Sequence, residues 1–199
     1  MAKNSMDQEK KRDEILEAAC ELFARFGFKK TTLEDIGDEV RLGKASLYYY
    51  FRSKDEIFSA VINRESETLL EVLEKAVAGS ETGIEKIGAF IRTRYEHIRK
   101  LKTLYRITSS MVREVLPLAQ EARANYLKKE LQMMTDMLQN GIADGELELE
   151  QPEIVALVIM AGLKGLDETF ISYGRDEDIS QGLDVLLKIL GRGMLHPSK

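Results

Sequence analysis

Apolar positions along this chain recur at the helical period from one end to the other. Ile15, Ala19, Leu22, Phe23 and Phe26 fall on one face of a first helix that stops at Gly27. Leu33, Ile36 and Val40 form the short apolar side of a second, opened by Thr32 with Asp35 three residues on, an acidic variant of the capping box. A break at Arg41-Leu42-Gly43 leads into a third helix over residues 44–51. Ser53 and Glu56 then cap a fourth, whose buried side runs from Ile57 and Phe58 through Val61, Ile62, Leu69, Val72 and Leu73 to Ala76.

The second half continues in the same way. Thr82 and Glu85 cap a helix carrying Ile84, Ile87, Ile91, Tyr95 and Ile98, and a shorter helix is predicted over 103–115. Pro117 suits the first turn of a long helix with Leu127, Leu131, Met134, Leu138 and Ile142 on one side, ending at Gly145. Pro152 opens another that ends near Gly174, and the last starts near Asp178 and aligns Ile179, Leu183, Leu186, Leu187, Leu190 and Met194. No stretch alternates convincingly at period two. The pattern therefore predicts an all-α chain of about nine helices.

Composition supports this: 199 residues with 3 Pro and no Trp, rich in Leu, Glu, Lys and Ala. The longest apolar run, residues 154–163, is too short to cross a bilayer, and the polar start MAKNSMDQEKKRDE has no secretory apolar stretch. The single cysteine, Cys20, lies near the apolar stripe of the first helix and cannot pair within the chain. A cytoplasmic protein is the expectation. Net charge is -5, which argues against a nucleic-acid partner until its distribution is seen. Between Arg25 and Lys54 stand seven basic and four acidic residues, a local +3, while residues 55–199 hold 18 basic and 24 acidic. Screening over about 8–10 Å lets a short basic segment meet phosphates despite an acidic body.

That basic segment contains residues 31–54, TTLEDIGDEVRLGKASLYYYFRSK. Two short helices joined by three residues make a helix-turn-helix, whose second helix enters the major groove of DNA. Lys44 stands where it can reach a guanine edge or a phosphate, and Ala45 and Ser46 allow close approach. Tyr48, Tyr49 and Tyr50 put rings on three sides of one helix, so some face outward towards phosphates and thymine methyls. Leu47 and Phe51 are the anchors, and Lys54 adds a cation beside the start of the fourth helix.

The stretch from Ile15 to Ile62 resembles the DNA-binding domain of the TetR family of bacterial regulators (TetR/AcrR type). The resemblance rests on Phe23 with Gly27 and Phe28, Thr31-Thr32, Ile36-Gly37, the turn Arg41-Leu42-Gly43, and Leu47-Tyr48-Tyr49-Tyr50-Phe51 with Lys54. It implies DNA contacts by Thr32, Lys44, Ala45, Ser46, Tyr48, Tyr49, Tyr50 and Lys54. The turn departs from the family pattern, with Arg41 where glycine is usual and Gly43 where serine is frequent. A left-handed Arg41 would cost about 1 kcal/mol relative to glycine, unless Gly43 takes that role.

The resemblance also implies a division into a helix-turn-helix domain, residues 1–53 (motif about 32–51), and an effector-binding and dimerisation domain, 54–199. In the family the C-terminal helices enclose a small-molecule cavity, and the last two pack on a partner's pair as a four-helix bundle. The sequence supports the bundle through the nearly all-round apolar run 154–163 and the small residues Ala161, Gly162 and Gly165, which leave room for close helix approach. Expected at the dimer interface are Leu157, Ala161, Gly162, Gly165, Leu183, Leu186, Leu187 and Leu190. Candidate ligand contacts are Met111, Met134, Met137 and Met160, whose thioethers adapt to varied shapes, with Tyr95, Tyr105 and Tyr126 as polar handles.

The expected function is thus a homodimeric repressor that binds an approximately palindromic double-stranded operator and is released by an apolar or amphipathic small molecule. A constitutive DNA binder and a helical adaptor are the alternatives. An all-α metalloenzyme is disfavoured, because neither His97 nor His196 follows a glutamate at the spacing di-iron bundles use. One cysteine and two distant histidines offer no nucleophilic constellation. No enzyme activity, cofactor or metal is expected.

Overall fold

The computed structural model describes residues 2–104, 109–173 and 176–194, with side chains over 6–100, 117–118, 121–166 and 180–194. Among them are eight helices: α1 (Ala2–Phe26), α2 (Leu33–Glu39), α3 (Lys44–Tyr50), α4 (Lys54–Ala78), α5 (Gly83–Leu104), α6 (Ser109–Ala143), α7 (Pro152–Tyr173) and α8 (Asp176–Met194). The fold is all-α.

The count is eight rather than nine because Pro117 lies inside α6 instead of opening a new helix. Proline there removes one N–H from the ladder, but α6 continues through it, 35 residues in all. The sequence marks a possible break at such a proline, and only the packing decides whether the chain takes it. Other stops are local. Gly27 ends α1 and Gly145 follows α6, both at positive φ (85° and 70°). Thr82 caps α5 with Glu85, whose carboxylate accepts from the Thr82 N–H at 3.0 Å.

The helices pack as two compact units: residues 1–66 with 101–124, and residues 67–100 with 125–199. The division between these packing units falls within α4, α5 and α6. The first unit closes around Ile15, Phe23, Ile36, Leu47, Phe51 and Ile57. Burial of each such side chain contributes about 1.5–3 kcal/mol. Phe23, Phe28 and Phe58 form an aromatic trio within it, ring centres 5.1–5.9 Å apart.

The second unit has its own core, built from Leu73 of α4, Phe90 and Ile91 of α5, Met134 and Leu138 of α6, Ile159 and Leu163 of α7, and Leu183 of α8. Inside it Arg94 and Glu130 form a fully buried ion pair, Nε to Oε2 2.7 Å. Two helices remain apolar on their outer sides. Ile154, Leu157 and Val158 are exposed on α7, as are Val185 and Ile189 on α8.

Candidate nucleic-acid interface

The site is built from α2, the turn after it, and α3. Thr32 is the N-cap of α2: its hydroxyl accepts from the Asp35 N–H at 3.1 Å, while Asp35 Oδ2 accepts from the Thr32 N–H and hydroxyl, each at 2.8 Å. These bonds, from the Thr32 backbone and then its hydroxyl, hold the Asp35 carboxyl below the usual range. Thr31, buried beside it, donates its hydroxyl to the Gly27 carbonyl at 2.9 Å, just past the end of α1.

The turn is tight. Leu42 N–H donates to the Gly37 carbonyl at 2.8 Å, and a Cβ on Gly37 would stand 2.8 Å from the Leu42 oxygen. Arg41 adopts φ 55°, whereas Gly43 has φ -65° and serves as N-cap of α3 without a side-chain bond. The left-handed residue of the turn is therefore the arginine.

On α3, Leu47 and Phe51 are buried and fix the helix to its support. Lys44, Ala45 and Ser46 are exposed, Tyr48 is 46% exposed and Tyr49 69%. Tyr50 packs partly against the core, its ring edge-on to that of Tyr49 at 5.2 Å. Lys54 is half-buried, with its ammonium on backbone carbonyls of the α1–α2 turn. α3 thus presents Lys44, Ala45, Ser46, Tyr48 and Tyr49 to solvent and turns Tyr50 inward, and Lys54 at the start of α4 is turned inward as well.

Four contacts around the motif have no local sequence signal. The Gln8 amide donates to the Tyr49 hydroxyl at 2.8 Å. Lys11 reaches the Val40 carbonyl at 3.1 Å, and Arg12 lies 4.6 Å over the Phe51 ring. These tie the early turns of α1 to the helix-turn-helix. Glu34 forms an ion pair with Lys44, and that bond draws the Glu34 carboxyl down and the Lys44 ammonium up. Their separations of 41, 29, 39 and 10 residues explain why periodicity cannot reveal them.

In the second unit, Met134, Met137 and Met160 are buried in one apolar cluster with Tyr95 packed against it. Tyr126 donates to Glu67 at 2.8 Å, and burial followed by that bond pushes its phenol up. Tyr105 and the Met111 side chain lie outside the described residues. Leu157, Ala161, Gly162 and Gly165 share the exposed face of α7. Leu183, Leu187 and Leu190 pack in the unit's own core, and Leu186 is half-buried.

An exposed, cation-led helix on a three-helix support defines a helix-turn-helix DNA-binding transcriptional regulator. Residues 15–61 match the model of the bacterial regulatory proteins of the tetR family. The transcriptional regulator YfiR of Bacillus subtilis is 30% identical over 73% of this chain and 72% of its own. The chain belongs to the TetR family. The repressor KstR2 of Mycolicibacterium smegmatis is 29% identical over 68% of this chain and 66% of its own. A protein from Saccharomonospora viridis, solved in complex with choline, shares the fold at TM-score 0.76 and 16% identity, over 94% of this chain and 99% of its own. The family is one of regulators, not enzymes. Among the described residues no helix is long and apolar enough to cross a membrane.

Proposed function

We propose that this regulator is a homodimeric repressor that reads an approximately palindromic operator through the exposed face of α3. The observation that carries this is the division of α3 into buried Leu47 and Phe51 and exposed Lys44, Ala45, Ser46, Tyr48 and Tyr49. Lys44 suits a guanine edge or a phosphate, and the tyrosines suit phosphate oxygens and thymine methyls. A second copy supplies the other half-site, through the outer apolar faces of α7 and α8. Repression is supported by KstR2, a repressor by name.

Release by an apolar or amphipathic small molecule completes the reading. The apolar character is supported by the methionines gathered in the second unit, and small-molecule binding as such by choline bound to a protein of the same fold. The ligand must bind better to a conformer whose two reading helices no longer match the half-sites.

Selection of duplexes from a randomised library by the purified protein tests the core of this reading. The expected product is an inverted repeat with half-sites about one helical turn, or a multiple of it, apart. No enrichment, or enrichment of a single unrepeated half-site, would overturn it. Screening lipophilic compounds by thermal shift, then titrating the hits into the protein–duplex complex, tests the effector separately. Hits that stabilise the protein and leave duplex affinity unchanged would remove the switch.

A further inference from the structure

Lys54 is the first residue of α4, and its surroundings are unusual for a lysine at that place. A cation at a helix N-terminus faces the positive end of the helix dipole, so α4 itself gives no reason for it. The reason lies across the chain. The ammonium donates to the Phe28 carbonyl at 2.7 Å and the Thr31 carbonyl at 2.9 Å, and the Lys29 carbonyl stands at 3.4 Å. It also lies 4.4 Å from the centre of the Phe28 ring. An ammonium has three N–H donors, and three carbonyl oxygens surround this one.

We propose that Lys54 is a positioning residue, a latch fastening the α1–α2 turn to the start of α4, and not a contact to the DNA backbone. Residues 27–31 leave α1 at a left-handed glycine, and the Phe28 and Thr31 carbonyls accept from the latch. The Phe28 ring beneath the ammonium is wedged against Phe23 of α1 and Phe58 of α4. Thr31 leads directly into Thr32, whose capping box sets the first turn of α2. One side chain thereby joins the end of α1, the entry to α2 and the beginning of α4. To reach a phosphate it would give up charge-assisted bonds, the stronger class of hydrogen bond, for another of the same class.

The two roles separate on chemistry. A phosphate contact keeps most of its value when lysine becomes arginine, because the charge remains. A convergent set of three carbonyls does not accept a flat guanidinium. The experiment uses the full chain, the best duplex recovered from a randomised library, and a scrambled duplex. Lys54→Met and Lys54→Arg are both expected to lower Tm by several degrees. At temperatures where each variant is fully folded, both are expected to lose about tenfold or more on the selected duplex and less on the scrambled one. The salt dependence of binding should keep its wild-type slope. A slope flatter by about one unit in Lys54→Met and restored in Lys54→Arg would establish a phosphate contact and overturn the latch. Folded variants with wild-type affinity for both duplexes would also overturn it, leaving Lys54 a stabilising residue only.

Wild-type protein gives an independent answer if the variants fail to fold. Under reductive methylation, Lys54 should react slowly compared with exposed Lys30, and equally slowly with and without duplex. Fast modification that the duplex suppresses would overturn the proposal. These readouts stand apart from the DNA-binding assignment, since slow modification and lowered Tm need no DNA.

Discussion

The ammonium of Lys44, at the start of α3, is held by the carboxylate of Glu34, in the first turn of α2. The two partners are 59% and 56% exposed, so the pair is readily exchanged, and its weight lies in what it offers DNA. A phosphate approaching Lys44 competes with a carboxylate already in place.

Glu34→Gln is therefore expected to raise affinity for random duplex several-fold and to steepen the salt dependence by up to about one unit, as a freed Lys44 gains a phosphate. Fluorescence anisotropy over a salt series measures both. Because Lys44 draws the Glu34 carboxyl down, the pair is complete at neutral pH and is lost only as pH falls through that lowered value. Binding to random duplex should accordingly show no change in this contribution between pH 8 and 6. A loss confined to the selected duplex would instead assign Glu34 as an acceptor for a cytosine amino group.

The Arg41 turn carries a second prediction. Arg41 stands at φ 55°, a conformation costing a non-glycine residue roughly 1–2 kcal/mol. With Lys11, Glu14, Glu17, Glu21 and Glu39 it lines an open groove of mainly acidic side chains. Arg41→Gly should raise stability by about 0.5–1 kcal/mol in urea unfolding, the relief of φ exceeding the lost charge interaction. Gly37→Ala should do the opposite despite the better helix propensity of alanine. Its Cβ would sit 2.8 Å from a backbone oxygen, which cannot swing away as a side chain would. An unchanged urea midpoint in both variants would show that the turn adjusts freely.

The helix-turn-helix is legible in the sequence because its determinants are local. Thr32 and Asp35, Ser53 and Glu56, and the four-residue step from Leu47 to Phe51 all act within a single turn of helix. The role of Lys54 is not local: its acceptors lie 23 to 26 residues back, on a turn whose carbonyl directions no periodicity reports. On α8 the difficulty is of another kind. That helix carries two apolar stripes, Leu183, Leu187 and Leu190 on one and Val185 and Ile189 on the other. Periodicity finds the stronger stripe and cannot say whether it faces the chain's own core or a partner. The structure packs the leucines against the chain's own core and leaves the valine and isoleucine outside.

The buried Arg94–Glu130 pair yields a third prediction. Both side chains are withdrawn from water, so removing one partner takes from the other a short charge-assisted bond that solvent does not replace. Arg94→Met or Glu130→Leu alone should cost about 3–5 kcal/mol, whereas the double variant should fall much closer to wild type. A double-mutant cycle in urea measures the coupling. Additive losses would mean that other partners, and not this pair, keep each charge satisfied.

The outer faces of α7 and α8 carry the last prediction, on self-association. Ile154, Leu157, Val158, Ala161, Gly162 and Gly165 follow one another on α7 at spacings of three, one, three, one and three, all exposed. Val185 and Ile189, four apart on α8, have Gly182 and Gly193 exposed on either side. Small residues among large apolar ones allow helices to approach closely, as in a bundle core. Val158 at 66% and Ile189 at 62% exposure touch little of their own chain. Val158→Arg and Ile189→Arg should therefore leave helicity and Tm of the separated chain nearly unchanged while shifting sedimentation from dimer to monomer. Selected-duplex affinity should then fall steeply, because two half-sites would be bound independently. Leu183→Arg should behave differently: it places a charge at a position only 4% exposed and should unfold the second unit itself. Wild-type protein sedimenting as a monomer, or a Val158→Arg dimer of undiminished stability, would show that self-association uses another surface. Monomeric Ile189→Arg binding the inverted repeat with wild-type affinity would show that pairing is not needed for operator recognition.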